Sequence, residues 1–185
     1  MDGAVYSKDT IRDLIDGKLP WETVKNIVSS PKDRDRFDKY VEVLQERVGF
    51  KERILLPLAE HLYIVEKGTD RIVKCDCGHE FGDYRENWKL HTLIDVLETD
   101  EQLERFYPGQ GKPNLEYCEV RRYFCPGCAA QLEVEAVPRG YPMIFDFLPD
   151  LDVFYGEWLG RPLSNKKEFR DLTYERIKEW QFKKR

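Results

Sequence analysis

The stretch "IVKCDCGHEFGDYRENWKL", residues 72–90, decides how the rest of the chain is read. Its first three residues are strand-like, and they end on two cysteines one residue apart, Cys75 and Cys77. A second pair, Cys125 and Cys128, follows another strand-like run in "EVRRYFCPGC". A structural zinc site needs four tetrahedral ligands, often delivered by two tight turns that a small sheet brings together. Pro126 and Gly127 bend the second turn so that both sulfurs point at one metal. "CDCG" is one residue shorter than the usual knuckle, and Gly78 permits a tight exit. The spacing predicts one zinc ion held by Cys75, Cys77, Cys125 and Cys128, with His79 as a variant ligand in place of one of the first pair. A four-thiolate site is closed to water and substrate, so it staples a fold and does not catalyse.

A redox use of these thiols weighs less. A redox dithiol wants its first thiol at a helix N-terminus, where the pKa falls. The residues after "CPGC", "AAQLEVEAV", alternate like a strand instead. Cys118, the fifth cysteine, has no neighbour in sequence to pair with and reads as a packing residue.

Upstream of the first pair the chain reads as helical through residue 50. Ser7 is the expected cap and Gly17 the stop of the first helix, and Pro20 suits the first turn of the second. A third helix is expected to start at Ser30 and Pro31, with Asp33 favoured by the dipole. Its apolar face would be Phe37, Tyr40, Val41, Leu44 and Val48. "HLYIVEKGTDRIVKC" reads as two strands around a turn, and "WKLHTLIDV" as a strand by its alternation. Thr99 and Gln102 form a capping-box pattern, and "DLDVFYGEWLG" suggests a short aromatic helix. The expected fold class is therefore α+β: N-terminal helices, a β-rich, zinc-ribbon-like centre stapled by one four-cysteine site, and C-terminal helices. Residues 1–163 are expected to form one domain, helical over 1–50, zinc-binding over 54–137 and aromatic over 138–163. Residues 164–185 are expected to add an amphipathic helix with Phe169, Leu172, Ile177 and Trp180 near one face and Ser164 or Asn165 as its cap.

Composition narrows the function. The 185 residues can bury a core without help from metal or disulfides. A net charge of -5 opposes a general nucleic-acid binder, which needs a basic face; "RVGFKER" and "EVRRYF" are the only basic-aromatic stretches. The N-terminus shows no signal peptide and no run is apolar enough to span a bilayer, so no membrane role and a cytoplasmic location are expected. Aromatic residues, at 13%, can furnish a protein–protein interface. The three histidines, His61, His79 and His91, belong to no catalytic pattern. His61 reads as a satisfied edge residue and His91 as facing solvent or a partner. "GQGKPN" is not a phosphate-binding loop. Taken alone, the chain reads as a zinc-stapled binding module without a catalytic residue.

The blocks "SSPKDRDRFDKYVEVLQERV", "CDCGHEFGDYRENWKL", "YFCPGC" and "DFLPDLDVFYGEWLG" together resemble the γ (small) subunits of acetone carboxylases, in the same order over most of the chain. The zinc-bearing small subunits of acetophenone carboxylases are related. The resemblance implies a hetero-oligomer of α, β and γ subunits, two copies of each, that makes acetoacetate from acetone and bicarbonate using ATP. It implies that manganese and ATP are handled by the larger subunits and that γ binds zinc through the positions matching Cys75, Cys77, Cys125 and Cys128. Shorter members stop soon after "EWLG", so the resemblance says nothing about residues from Ser164 onward.

Overall fold

The computed structural model describes residues 5–109 and 111–183, with side chains described through residue 179. It holds two antiparallel meanders. β1 (Arg53–Ala59), β2 (Leu62–Lys67), β3 (Asp70–Cys75) and β4 (Glu80–Asp83) form one sheet in that order. β5 (Leu93–Leu97), β6 (Cys118–Phe124) and β7 (Gln131–Pro138) form the other. Three helices precede them: α1 (Lys8–Ile15), α2 (Trp21–Ser29) and α3 (Arg36–Arg47). α4 (Asp100–Phe106) links β5 to β6, α5 (Leu151–Val153) runs into a π-helical turn (Phe154–Trp158), and α6 (Thr173–Lys183) closes the chain. The α+β expectation holds.

Alternation along the first sheet explains its two-sided burial. Ile54, Tyr63, Val65 and Ile72 face Leu44 and the rest of the helical layer. Leu55, Leu62, Ile64 and Val73 point the other way, into a core shared with Tyr123 and Leu132 of the second sheet and with Leu151 and Tyr155. A strand covered on both faces has no polar side to show, which is why "LYIV" in β2 is an unbroken apolar run. The buried Tyr155 hydroxyl donates to the Leu55 carbonyl at 2.8 Å, tying the C-terminal part to β1. Thr99 and Gln102 form the expected capping box on α4.

Four local expectations need correction. Ser30 does not start α3. Its hydroxyl bonds back to the Asn26 carbonyl and ends α2, and α3 begins at Arg36. Asp33 is instead buried between Arg36 and Lys39. Burial alone would raise its carboxyl, but hydrogen bonds from those two cations outweigh it and hold the pKa at about 2. Second, "WKLHTLIDV" is not one strand. The Asn87 side chain caps the amide of Lys89, so Trp88–His91 winds as a 3₁₀ turn, and β5 starts only at Leu93. Third, His91 is half-buried near Glu86, at 3.7 Å, and burial lowers its pKa.

Fourth, residues 164–172 form neither helix nor strand, and the final helix starts at Thr173, not at Ser164 or Asn165. Non-local bonds hold this strap open. Arg71 takes the Asn165 carbonyl as well as both oxygens of Asp152, and the Lys167 amide donates to Asp152. The Leu172 amide donates to the Arg85 carbonyl at 2.8 Å. Phe169 is left exposed rather than packed. The side chain of Trp180, expected on the apolar stripe, lies outside the described residues.

Candidate metal centre

Cys75 is the last residue of β3 in the first sheet, and Cys125 follows β6 in the second. Each starts a tight turn. In the first, the Gly78 amide bonds the Cys75 carbonyl at 2.9 Å, the Cys75 amide bonds the His79 carbonyl at 2.8 Å, and Gly78 exits at φ 96°. In the second, the Ala129 amide bonds the Cys125 carbonyl at 2.8 Å and the Cys125 amide bonds the Ala130 carbonyl at 2.9 Å. The turns face each other across the seam between the sheets. Cys75 and Cys125 are fully buried, while Cys77 and Cys128 are exposed.

All four sulfurs lie within 4.8 Å of one another. Cys75 Sγ is 3.8 Å from Cys128 Sγ, and Cys77 Sγ is 3.7 Å from Cys125 Sγ. A tetrahedral zinc ion with four bonds of about 2.3 Å requires sulfur–sulfur edges of about 3.8 Å. Disulfides need about 2.05 Å, so the same separations do not describe oxidised pairs. The four thiols therefore fit a four-coordinate soft cation. Among the described residues no fifth ligand joins them: His79 is outside the cluster, its ring edge-on to Phe81 with centroids 5.0 Å apart.

Neighbouring groups set the thiols in place. Gly127 allows the second turn to slide under the first, since a Cβ there would lie 3.0 Å from His79 Cβ and 3.2 Å from Cys77 Sγ. The Gly127 amide also points at Cys125 Sγ, 3.4 Å away. Burial pushes the Cys75 thiol up; the Cys77 amide opposes this, while the adjacent Asp76 carboxylate and the Cys77 and Cys125 thiols add to it. A cation bound here must displace those protons, which makes its affinity pH-dependent. Asp76 bonds His61 Nδ1 at 2.7 Å, so His61 is the satisfied edge residue its sequence suggested. Cys118 stands apart, its thiol donating to the Asn114 carbonyl at 3.1 Å.

The profile of the family described as "Acetone carboxylase gamma subunit" matches residues 48–159. A protein of Xanthobacter autotrophicus named acetone carboxylase gamma subunit is 41% identical over 165 residues, covering 88% of this chain and 98% of that one. This chain belongs to the acetone carboxylase gamma subunit family. A second relative, the acetophenone carboxylase beta subunit of Aromatoleum aromaticum, is 29% identical over 112 residues, 59% of this chain and 79% of its own length. The family stretch of this gamma-type chain contains both sheets and all four clustered thiols; α1, α2 and α3 lie before it, the strap and α6 after it.

A second charged cluster in the family stretch escaped the sequence reading. Glu133, Glu135 and Asp146 converge closely enough to hold a cation, and the ammonium of Lys89 already sits among them. Lys89 is 1% exposed, yet these carboxylates hold its pKa up against the cost of burial. Its Nζ also lies 5.3 Å from the centroid of the Tyr123 ring, whose hydroxyl donates to Glu135. The clue was the alternation of Glu133 and Glu135 on one face of β7, which calls for a cation opposite. Among the described residues no helix is long and apolar enough to cross a membrane.

Proposed function

We propose that this chain is the zinc-binding, non-catalytic γ subunit of an ATP-dependent acetone carboxylase complex, which joins acetone and bicarbonate to give acetoacetate. Cys75, Cys77, Cys125 and Cys128 hold the zinc. The observation that carries this reading is the set of sulfur separations of 3.7 and 3.8 Å between turns from two different sheets. The ion supplies folding free energy, because its ligands have no preformed cage in the unfolded chain. With four thiolates it has no open position for a reacting group. Nucleotide activation and manganese-dependent carboxylation then belong to the larger α and β subunits, in a cytoplasmic α2β2γ2 assembly. Residues 1–163 act as the zinc-stapled unit and residues 164–185 as its extension.

The weaker likeness to the acetophenone carboxylase beta subunit favours one alternative, a complex acting on an aromatic ketone. Purification of the tagged chain from its native cells separates the readings. The expected result is about one zinc per chain with an all-sulfur shell by X-ray absorption, two larger co-purifying chains, and acetone carboxylation by the assembly. The isolated chain is expected to show no ATPase or carboxylase activity. A mixed nitrogen–sulfur shell would move a ligand to His79; absence of metal, or ATP hydrolysis by the rigorously purified chain, would sink the proposal.

A further inference from the structure

Two antiparallel sheets present four edge strands, and three of them are blunted. On β1 the Gln45 side chain takes up edge groups, accepting from the Ile54 amide at 2.8 Å and donating to the Glu52 carbonyl at 3.2 Å. Pro57 and two register shifts interrupt the rest. β4 is four residues long, and the strap bonds the chain just past it at Arg85. β7 carries Glu133 and Glu135, has a register shift against β6 and ends at Pro138.

β5 has the fewest of these devices. Its sequence is LIDVL, without lysine, proline or a register shift. Its one charge, Asp95, is engaged across the ladder by Arg122, whose Nε lies 3.0 Å away. Consecutive side chains of a strand point to opposite faces. Leu93 is 56% and Ile94 42% exposed, so neither face is covered at this end of the strand. Beyond the ladder to β6, no backbone bond to β5 exists among the described residues. A regular apolar edge of this kind is a template for another strand.

We propose that β5 docks an extended segment of a larger subunit of the carboxylase complex by strand addition, lengthening the β5–β6–β7 sheet. This rests on the reading of the chain as a γ subunit. Backbone pairing supplies the affinity, and side chains over Leu93 and Ile94 supply the fit. Charge sets the occupant's other property. Just past β5, Glu98, Asp100 and Glu101 are exposed and make no ion pair among the described residues. The added segment therefore alternates apolar residues and carries Lys or Arg at the end beside Glu98. A second copy of this chain fits poorly: antiparallel self-pairing centred on β5 would set Asp95 against Asp95, and like charges directly opposite are destabilising.

The test compares amide hydrogen exchange of residues 93–97 in the free chain and in the purified complex, alongside co-purification of a Leu93→Lys/Ile94→Lys variant. Both side chains are exposed, so the variant is expected to keep the free chain's Tm and metal content. The expected results are at least tenfold slower exchange of β5 amides in the complex, and at least tenfold less co-purified large subunit with the variant. Val134→Lys, exposed on the opposite edge, is expected to assemble normally. Unchanged exchange in the complex would overturn the inference, whether or not the variant folds, and so would normal assembly of a folded variant. A free chain that is dimeric with β5 already protected would replace the large subunit by a second copy. If the wild-type chain brings down no larger chain at all, the subunit reading fails and takes this inference with it.

Discussion

The turn after β3 and the turn after β6 each deliver one buried and one exposed sulfur, but they leave the cluster differently. The first exits through Gly78 at φ 96°, where glycine meets no steric cost. The second exits through Ala129 at φ 59°, among the described residues the only non-glycine with positive φ. A left-handed residue with a Cβ costs about 1–2 kcal/mol. The second turn is therefore held in place rather than resting there. Two restraints hold it: the hydrogen bonds of Cys125 to Ala129 and Ala130, and, in the proposed holoprotein, the metal. The contrast teaches that a relaxed turn and a strained one can share a tetrahedral cluster when their sheets fix both ends.

Breaking the cluster removes the reason for the contrast. Cys125→Ser takes out a buried ligand and is expected to abolish stoichiometric metal binding, forfeiting much of the about 10 kcal/mol typical of structural zinc sites. Metal analysis and thermal melts check this. Carboxylase activity normalised to whatever complex still assembles is expected to stay close to wild type. Lys89→Met comes next. It leaves Glu133, Glu135 and Asp146 without their buried cation, and removing one partner of such a group costs about 3–5 kcal/mol when burial is complete. Asp146 is half-exposed and solvent screens it, so about 2–4 kcal/mol is expected by urea denaturation.

Gly127→Ala probes the contact between the turns. Its Cβ would press on His79 and Cys77, costing about 1–3 kcal/mol as overpacking does. Metal competition assays are expected to show weaker binding with unchanged stoichiometry. The smallest effect should have the opposite sign. Ala129→Gly relieves the left-handed strain but gives the unfolded chain more freedom, so a net gain of at most about 1 kcal/mol is expected. The same change at a relaxed alanine would destabilise, so a fall in Tm for Ala129→Gly would show that the second turn carries no strain.

The cluster was legible because paired cysteines in tight turns are a local pattern with one geometric solution, and β3 and β6 were legible beside them. Lys89 was not. Its carboxylate partners lie 44 to 57 residues further along the chain, and four residues of alternation look the same in a strand as in the first turn of "WKLH". The tail misled for a related reason. Helical spacing of Phe169, Leu172 and Ile177 is a local count, whereas the strap's backbone is claimed by Arg71, Asp152 and Arg85 from elsewhere in the chain. Periodicity reports what a segment would do alone; it cannot report a competing bond from a residue far away in sequence.

The placement of the thiols also carries an expectation about the order of events in folding. Within each sheet every strand pairs only with its neighbours in sequence, across short turns except between β5 and β6, where α4 and its flanking loops intervene. The sulfur contacts join residues 48 and 53 positions apart. Closing loops of that length costs more chain entropy than closing hairpins, and contacts of high sequence separation slow folding. The two meanders are therefore expected to form first and the sulfur cluster last. Until then the first turn offers an ion only two ligands, a weak and reversible hold. Full retention of an ion bound here would thus report that the second meander has folded and met the first.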